Sequence, residues 1–292
     1  MKNARRPGTL YVVATPIGNL EDISTRALHT LETVSLIACE DTRHSRKLLS
    51  RFQISTPLTS YYREKEQYKA GILINKLQEG QDIALISDAG TPGISDPGAV
   101  LIRRARAAAI AVVPIPGPSA LATALSAAGL EENGFFFGGF PPAKKGLRCK
   151  FFQGLAALPF PLVFYESPHR IKSCLQDCLS TFGERQALLF RELTKIHEQC
   201  LDGPLSQLLE QVKNGVRGEL VLVIQADSSI PADKPDNLDH LLAWYRQQPG
   251  MKLKKAVQLI AADLDLPRTQ VYRAALETWH RDDQEAGDDE SS

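Results

Sequence analysis

Short apolar runs alternate with amphipathic segments along the first 130 residues, and this alternation predicts strands that are each followed by a helix. Apolar runs predict strands at residues 9–14, 34–39, 58–62, 83–86 and 112–115. Apolar residues at helical spacing predict helices at 23–31, 42–52, 67–78, 99–108 and 120–129. Strands that are apolar throughout are typical of parallel sheets buried on both faces. The pattern therefore predicts a parallel sheet with helices on both faces.

Two of these helices are preceded by residues that favour a helix start. Asp22 stands before the first helix, and Asp96 followed by Pro97 stands before the fourth. An aspartate accepts hydrogen bonds from the first free amide groups of a helix, and proline suits the first helical position. We therefore expect Asp22 and Asp96 to be N-caps.

The pattern changes after a polar segment at residues 131–134. Strands are predicted at 135–140, 161–165, 186–191, 197–202 and 220–225, and helices at 152–158, 171–182 and 206–212. Two of the strands follow one another with no helix between them, which indicates a hairpin and a mixed sheet. We therefore expect an N-terminal α/β domain at 9–130 and a second α/β domain at 131–227.

A linker rich in Pro, Asp and Ser at residues 228–237 separates these domains from two predicted helices, at 252–263 and 268–278. Two helices joined by a short turn are typical of a helix-turn-helix, whose second helix contacts nucleic acid. A helical pair that only packs on the rest of the protein would have the same pattern. Residues 238–281 are thus predicted to form a small helical extension.

Both ends of the chain are predicted to be disordered. Residues 1–8 are a lead-in without the apolar stretch of a secretory signal. Residues 282–292 are an acidic tail that solvent would keep extended.

Composition excludes several classes of protein. No apolar run reaches the ~18 residues that a membrane span needs. The five cysteines lack the spacing of a disulfide framework. Cys174 and Cys178 lie one helical turn apart with no second Cys or His pair nearby, which disfavours a zinc site. We expect reduced thiols and a cytoplasmic protein.

The formal net charge of zero conceals a basic body, because the last twelve residues hold six acids and one base. Without them, 33 basic and 28 acidic residues remain. The excess is concentrated in residues 42–69, 143–150 and 241–281. Such stretches attract RNA phosphates, although a charged run can also be a solvated surface. Together they permit a polyanionic partner.

Residues 83–98, IALISDAGTPGISDPG, combine a strand-like apolar run with a loop rich in glycine and proline. Glycine lets the backbone approach a ligand closely. Open α/β sheets bind ligands at the carboxyl ends of their strands. The same composition also suits any tight turn between a strand and a helix. Residues 88–95 are therefore a candidate ligand loop.

Two more loops follow strands in the same way, at residues 16–19 and 116–120. The chain contains no G-x-G-x-x-G, G-x-x-x-x-G-K-[ST], H-E-x-x-H or G-x-S-x-G motif, so the familiar dinucleotide, phosphate-loop, zinc and hydrolase sites are not indicated. Converging loops would instead offer backbone N–H and C=O groups and a carboxylate. That chemistry suits a zwitterionic ligand with a sugar and a base.

A set of motifs in a fixed order points to a family. VATPIGNLEDIS, ACEDTRHSRKLL, ISDAGTPGISDPG and PIPGPSALATAL lie in the first domain, and VFYESPHRI and RELTKIHEQ in the second. In this order they resemble the tetrapyrrole methylase superfamily, and more closely its branch that methylates a cytidine ribose 2′-hydroxyl in bacterial 16S ribosomal RNA. The resemblance covers residues 8–225, and the basic helical pair resembles the carboxyl-terminal extension of that branch.

The resemblance implies a fold of two α/β domains with S-adenosylmethionine (SAM) in the cleft between them, followed by the helix-turn-helix-like extension. It also implies a homodimer and no metal. The implied SAM-binding residues in the first domain are Asp88, Ala89, Gly90, Thr91, Pro92, Gly93, Ile94, Ser95, Pro116, Gly117, Pro118, Ser119 and Ala120. Glu166 and Ser167 would contact SAM from the second domain. Corrin- and haem-pathway members begin the first loop with Gly-Asp-Pro, whereas residues 87–90 here read Ser-Asp-Ala-Gly, which favours the RNA branch.

Methyl transfer to a ribose needs help for the hydroxyl, which is a poor nucleophile. A positioned base, or a cation that stabilises the oxyanion, would supply it. The catalytic candidates are two pairs, Asp41 with Arg43 and Lys195 with Glu198. A structural interpretation is also open, in which Asp41 caps a helix and Arg43 is simply exposed.

Substrate contacts are expected at the loop after the first strand and on the basic stretches. The candidates are Pro16, Gly18, Asn19, His44, Lys144, Lys145, Arg148, Arg170, Arg268 and Arg273. The sequence thus predicts a SAM-dependent enzyme that 2′-O-methylates a cytidine ribose in the decoding region of 16S rRNA. Two alternatives stay open, a tetrapyrrole methyltransferase of the same superfamily and a catalytically inactive RNA-binding module.

Overall fold

A computed structural model describes residues 6–130, 134–226, 238–247, 251–264 and 266–279. The first α/β unit contains strands β1 (Leu10–Val13), β2 (Leu36–Cys39), β3 (Leu58–Ser60), β4 (Ile83–Leu85) and β5 (Val112–Ile115). Its helices are α1 (Thr25–Thr33), α2 (Thr42–Arg51), α3 (Glu66–Gln78), α4 (Ala99–Ala107) and α5 (Ala120–Ala127). Strands and helices alternate as the apolar pattern predicts.

The five strands form one parallel sheet in the order β3-β2-β4-β1-β5. Its two faces are both buried, because successive strand residues belong to different apolar clusters. Leu85 packs with Leu101 on one face, while Ala84 and Ile86 pack with Ile37 on the other. In a parallel sheet all carboxyl ends lie at one edge, so the loops after β1, β4 and β5 meet there.

The second α/β unit contains strands β6 (Phe136–Phe137), β7 (Leu162–Glu166), β8 (Gln186–Arg191), β9 (Gln199–Pro204) and β10 (Leu220–Ile224). Its helices are α6 (Lys145–Gln153), α7 (Ile171–Phe182) and α8 (Leu205–Gln211). The strand order is β6-β7-β10-β8-β9, with β6 parallel to β7 and the other pairs antiparallel. The predicted hairpin and mixed sheet are confirmed.

The two sheets are joined through α5. Ala124 and Ala128 pack in one apolar cluster with Val163 and Phe190 of the second sheet. The Tyr165 hydroxyl also accepts a hydrogen bond from the Leu121 backbone N–H at 3.0 Å. Two α/β domains with a cleft between them are therefore the observed architecture.

Both predicted N-caps are wrong. The cap of α1 is Ser24, whose Oγ accepts from the Ala27 N–H at 3.1 Å, and Asp22 lies in the preceding 3-10 turn. α4 begins only at Ala99, with Gly98 as its N-cap. Gly98 adopts φ +150°, and a Cβ there would lie 3.0 Å from Leu85 Cδ2. The turn into the helix thus occurs at this glycine, two residues after Asp96.

The helix predicted at 152–158 is also misplaced. α6 spans Lys145–Gln153, and a turn follows it. Its start is concealed in the sequence by a run of basic residues around Gly146, which lacks apolar periodicity. The helix is fixed instead by burial of Arg148 and Phe152 on its inner face.

The carboxyl-terminal helices form a compact unit of their own. They are α9 (Leu238–Gln247), α10 (Leu253–Asp263) and α11 (Arg268–Trp279). Leu241, Ile260 and Val271, one from each helix, share its apolar core. α9 was absent from the predicted pair, and it completes a three-helix unit. The predicted linker at 228–237 and acidic tail at 282–292 lie outside the described residues, as do 1–5 of the lead-in and 131–133.

Among the helices that the structure describes, none has the length and apolar character to cross a membrane.

Candidate functional site

A cavity of about 480 Å³ lies between the two sheets. The first unit lines it with Ile17, Glu40, Asp88, Ala89, Gly90, Thr91, Ile94, Ser95, Asp96, Ser119 and Ala120. The second unit lines it with Phe140, Tyr165, Glu166, Ser167, Pro168, Leu193, Glu219, Leu220 and Val221. We call this space the central cavity. It lies where the loops after β1, β4 and β5 converge, as the sequence predicts for a ligand site.

Hydrogen bonds tie these three loops together. The backbones of Thr15 and Gly90 exchange two N–H···O bonds of 2.9 and 3.0 Å, which join the loops after β1 and β4. Thr91 Oγ1 donates to the Pro118 carbonyl at 3.0 Å, which joins the loops after β4 and β5. Gly90 adopts φ +80°, and a Cβ there would lie 3.3 Å from Ile17 Cγ2. A glycine is therefore required at this close approach.

The structure brings most of the predicted cofactor residues to the central cavity, but five of them are not part of its lining. These are Pro92, Gly93, Pro116, Gly117 and Pro118. Pro92 is buried beneath the loop. The two glycines allow close packing, since a Cβ on Gly93 would lie 3.3 Å from Ile102 Cδ1 and one on Gly117 3.0 Å from Ala14 Cβ. Gly93 and Gly117 thus contribute to the packing of the loops against the rest of the first unit.

An aromatic wall faces the loops from the second unit. Phe140 and Tyr165 pack edge-to-face with ring centroids 5.6 Å apart, and both line the central cavity. Neither was predicted as a site residue. The signal for Tyr165 was present in the FYES sequence at the end of a strand, next to Glu166 and Ser167.

Glu166 has a buried carboxylate whose partners come from its own segment. Its Oε2 accepts from the Ser167 N–H at 2.8 Å, and its Oε1 lies 2.9 Å from Arg170 Nη2. Burial raises the pKa of Glu166, and the bond from Ser167 and the charge of Arg170 partly oppose that rise. Arg170 also donates to the Pro141 carbonyl. Because 30% of the Arg170 side chain is exposed, its expected contact with RNA stays a prediction.

The central cavity has an acidic lining. Glu40, Asp88, Asp96, Glu166 and Glu219 line it, and no Lys or Arg of the described residues does so. Burial is the largest cause that raises the pKa of Glu40 and of Asp96, and the nearby charge of Asp88 raises both further. A bound cation would relieve this repulsion between carboxylates. The cavity thus favours a cationic ligand with an apolar part that packs on the aromatic wall.

Asp41 and Arg43 lie outside this lining. Asp41 is the N-cap of α2, and its Oδ1 accepts from the Arg43 N–H at 2.8 Å. Arg43 Nη2 lies 3.2 Å from Asp41 Oδ2, and the two side chains are 90% and 39% exposed. The hydrogen bond from the Arg43 side chain lowers the pKa of Asp41. The capping interpretation of Asp41 fits this geometry, and the Asp41 N–H also donates to Asp88 Oδ1 at 3.1 Å.

Lys195, predicted as a catalytic candidate together with Glu198, makes its ion pairs with two other glutamates. Lys195 Nζ lies 2.9 Å from Glu192 Oε1 and 2.8 Å from Glu219 Oε2, while Glu198 Oε2 accepts from the Thr194 N–H at 2.6 Å. Burial disfavours the charge of Lys195, but the bonds to Glu219 and Glu192 outweigh it, so its pKa is raised. Lys195 is therefore a cation held beside the central cavity.

A tight turn produces this arrangement. Glu192 and Thr194 adopt φ values of +53° and +65°, which are uncommon for residues other than glycine. The turn folds Lys195 back onto Glu219, which lies just before β10. Partners 24 residues apart in sequence cannot be recognised from local spacing.

The predicted acceptor-side residues lie against this turn. The Asn19 N–H donates to Thr194 Oγ1 at 3.0 Å, and a Cβ on Gly18 would lie 2.5 Å from Lys195 Cγ. Gly18, Asn19, Thr194 and Lys195 line an open groove of about 1070 Å³, which we call the outer groove. Pro16 is buried and is not part of the lining of this groove. The outer groove adjoins the central cavity through the neighbouring residues Ile17 and Leu193.

The predicted basic contacts divide into exposed and buried residues. His44, Lys144, Lys145, Arg268 and Arg273 are exposed. Arg148 is buried, and its Nη2 lies 2.6 Å from Asp177 Oδ2. It also donates to the Pro142 and Ala143 carbonyls. The expectation that Arg148 contacts RNA is therefore wrong, because the inner face of α6 takes it into the core.

Comparisons with known proteins agree with this architecture. The family model described as Tetrapyrrole (Corrin/Porphyrin) Methylases matches residues 9–209. The ribosomal RNA small subunit methyltransferase I of Xylella fastidiosa (strain Temecula1) is 46% identical over 272 residues, which cover 91% of this chain and 98% of the relative. The protein of the same name from Escherichia coli O157:H7 is 46% identical over 274 residues, which cover 92% of this chain and 95% of the relative.

A solved structure shares the fold at low sequence identity. The uroporphyrin-III C-methyltransferase from Thermus thermophilus, in complex with S-adenosylhomocysteine, aligns with a TM-score of 0.55 and 17% identity. The alignment covers 75% of this chain and 97% of that chain. Fold, family match and identity to relatives agree with each other. This chain belongs to the tetrapyrrole methylase family and, within it, to the branch of the ribosomal RNA small subunit methyltransferases I.

Proposed function

We propose that this chain is a SAM-dependent methyltransferase that transfers a methyl group to the 2′-hydroxyl of a cytidine ribose in the decoding region of 16S rRNA. The observation that carries the proposal is the acidic central cavity, placed where three strand-end loops meet an aromatic wall. That the substrate is small-subunit ribosomal RNA is inferred from the names of the relatives. That the acceptor is a cytidine ribose is inferred from the motif resemblance.

The lining fits SAM in charge and in shape. SAM carries a sulfonium and an ammonium group, which the carboxylates of the central cavity would stabilise. Its adenosyl part would pack against Phe140 and Tyr165. Ser95 Oγ is buried and has no hydrogen-bond partner among the described residues, so it is available to a polar group of a ligand. When bound, SAM supplies an electrophilic methyl group.

Most of the rate gain is expected from placing the ribose against the methyl group. Good orientation of two reactants is worth up to about 7–11 kcal/mol in favourable intramolecular cases. The outer groove would receive the nucleotide, since it adjoins the central cavity. There the Lys195 cation, held by Glu192 and Glu219, would stabilise negative charge that develops on the ribose oxygen.

The RNA itself would lie on exposed basic residues. His44, Arg46 and Lys47 project from α2 close to the loops of the central cavity, and Lys144 and Lys145 are exposed at the start of α6. Arg268 and Arg273 are exposed on α11. Contacts between these side chains and phosphates would make the affinity fall with salt concentration. We further propose that the protein acts on the small ribosomal subunit or its RNA, in the cytoplasm, as a homodimer.

The direct test uses small ribosomal subunits from cells that lack the enzyme. They are incubated with SAM labelled at the methyl group, and the label is mapped by nuclease digestion and nucleoside analysis. We expect label in a single 2′-O-methylcytidine of 16S rRNA. Label on a base, or on ribosomal protein only, would refute the ribose assignment.

A tetrapyrrole methyltransferase is the second candidate, favoured by the fold shared with a uroporphyrin-III C-methyltransferase. It predicts a spectral shift when a porphyrinoid is added and methyl transfer to that molecule. A third outcome is RNA binding without SAM binding in calorimetry. That result would identify an inactive RNA-binding module.

A further inference from the structure

Glu40 is part of the lining of the central cavity because of the register of two neighbouring strands. β2 and β4 are parallel, and Ala38 lies opposite Leu85. Glu40 and Asp88 therefore emerge at the same edge, two and three residues further along. The Asp41 N–H bonds to Asp88 Oδ1 at 3.1 Å, which fixes the segment that carries Glu40. Both Glu40 and Asp88 line the central cavity.

The other carboxylates of the cavity already have partners. Asp88 accepts from Asp41, Glu166 pairs with Arg170, and Glu219 pairs with Lys195.

The nearby Ser87 side chain lowers the pKa of Asp96 and so opposes the rise that burial causes. Glu40, in contrast, makes no hydrogen bond or ion pair with any residue in the described ranges. Its oxygens are free to accept a proton from a ligand.

We propose that Glu40 is the catalytic proton acceptor for the ribose 2′-hydroxyl. This inference rests on the proposed ribose methylation. In the step, the O2′–H bond breaks and its proton goes to a carboxylate oxygen of Glu40. O2′ forms a bond to the methyl carbon, the carbon–sulfur bond breaks, and its electron pair stays on sulfur.

The charges around Glu40 suit it to this role. Burial raises its pKa, Asp88 and Asp96 raise it further, Arg63 lowers it and Glu64 raises it. A glutamate with a raised pKa is a stronger base than an ordinary one.

Asp41 and Lys195, the two earlier candidates, are less suited than Glu40 to act as the base. The pKa of Asp41 is lowered by the hydrogen bond from Arg43, which makes it a weaker base. Lys195 is protonated and bound to two carboxylates, so it cannot take up another proton. The roles therefore separate, with Lys195 as the cation and Glu40 as the base.

The test is Glu40→Gln, which keeps the shape of the side chain and removes the base. Single-turnover 2′-O-methylation is measured with saturating SAM and small subunits across a range of pH. We expect a rate loss of about 10²–10⁴-fold at SAM concentrations that saturate the variant, beyond any loss of SAM affinity that removal of this carboxylate causes. In the wild type the rate should rise with pH and level off, and this rise should be lost in the variant.

Glu64→Gln is the matched control. Glu64 is exposed, and its charge also acts on Glu40, so the control removes the same charge without touching the cavity. Glu40→Asp should recover part of the activity. A Glu40→Gln rate within a few-fold of wild type would overturn the inference, as would a loss of SAM affinity that explains the whole defect. Wild-type protein that leaves ribose unlabelled would instead refute the proposed function.

Discussion

Glu66 Oε1 lies 2.9 Å from the backbone nitrogen of Gly98, so α3 supplies the cap that α4 itself lacks. The Tyr61 hydroxyl donates to the same oxygen at 3.0 Å and accepts from the Leu101 N–H at 3.2 Å. The free amide groups at the start of α4 are thus bound by side chains from elsewhere in the fold. Because Gly98 lies three residues after the ligand loop at 88–95, this contact also fixes the segment that follows the loop.

Glu66→Ala is therefore expected to reduce stability. Loss of a helix cap and of a buried hydrogen-bond partner costs about 1–2 kcal/mol, to be measured by urea unfolding. SAM affinity should fall as well, because the loop loses its anchor. Glu66→Gln keeps an accepting oxygen and should retain most of both. Glu79→Ala, at an exposed position beyond the end of the same helix, is the control. Equal stability of Glu66→Ala and Glu79→Ala would contradict the capping role.

Arg148→Ala should destabilise the protein without altering RNA contact directly. Its side chain and that of Asp177 are 4% and 6% exposed, and removal of one partner from a buried ion pair costs about 3–5 kcal/mol. Lys145→Ala, three residues earlier and exposed, should leave stability within about 0.5 kcal/mol. It should weaken RNA binding in a filter assay and reduce its salt dependence. A stable Arg148→Ala protein with weakened RNA binding, or a Lys145→Ala protein that is destabilised, would contradict the placement of these residues.

Gly90→Ala should impair the central cavity. A residue with a Cβ at φ +80° is strained by about 1–2 kcal/mol, and the new atom would crowd Ile17. We expect a lower melting temperature and weaker SAM binding in calorimetry. Gly146→Ala is the matched control, since a Cβ there meets no atom within 4 Å. It should be neutral or stabilise α6 by up to about 1 kcal/mol. A Gly90→Ala protein as stable as Gly146→Ala would contradict the close approach.

SAM affinity should rise with pH through the acidic range and then level off. The pKa values of Glu40 and Asp96 are raised in the ligand-free protein, first by burial. A bound cation stabilises their ionised forms, so binding releases protons and is favoured as pH increases to those raised values. Calorimetry at a series of pH values measures the effect. In the double variant Glu40→Gln with Asp96→Asn, SAM affinity should depend less on pH. An equally steep dependence would show that these two carboxylates are not its cause.

The pattern of apolar residues was sufficient to predict the bounds of elements that form one continuous run in the sequence. The predicted bounds of β5, α7 and β8 match the structure, because each is a continuous apolar or amphipathic run with clear ends. The convergence of the loops after β1, β4 and β5 follows from parallel pairing alone.

Several failures involve partners that are distant in sequence. The cap of α4 comes from Glu66 on another helix, and Lys195 is bound by Glu219, which lies just before β10. Arg148 looked like a surface charge because Asp177, which neutralises it, is 29 residues away. The strand that precedes Glu40 places it near the site, but only the folded structure shows that its carboxylate has no hydrogen-bond or ion-pair partner among the described residues.

The apolar cluster that joins the two sheets determines how a ligand can reach the central cavity. Ile17 of the first unit packs there with Phe190 and Val221 of the second. Swinging the sheets apart would expose this cluster to water, so a hinge-like opening is energetically disfavoured. A small molecule would then enter and leave without separation of the two sheets, and the contacts that it breaks on leaving would set its residence time.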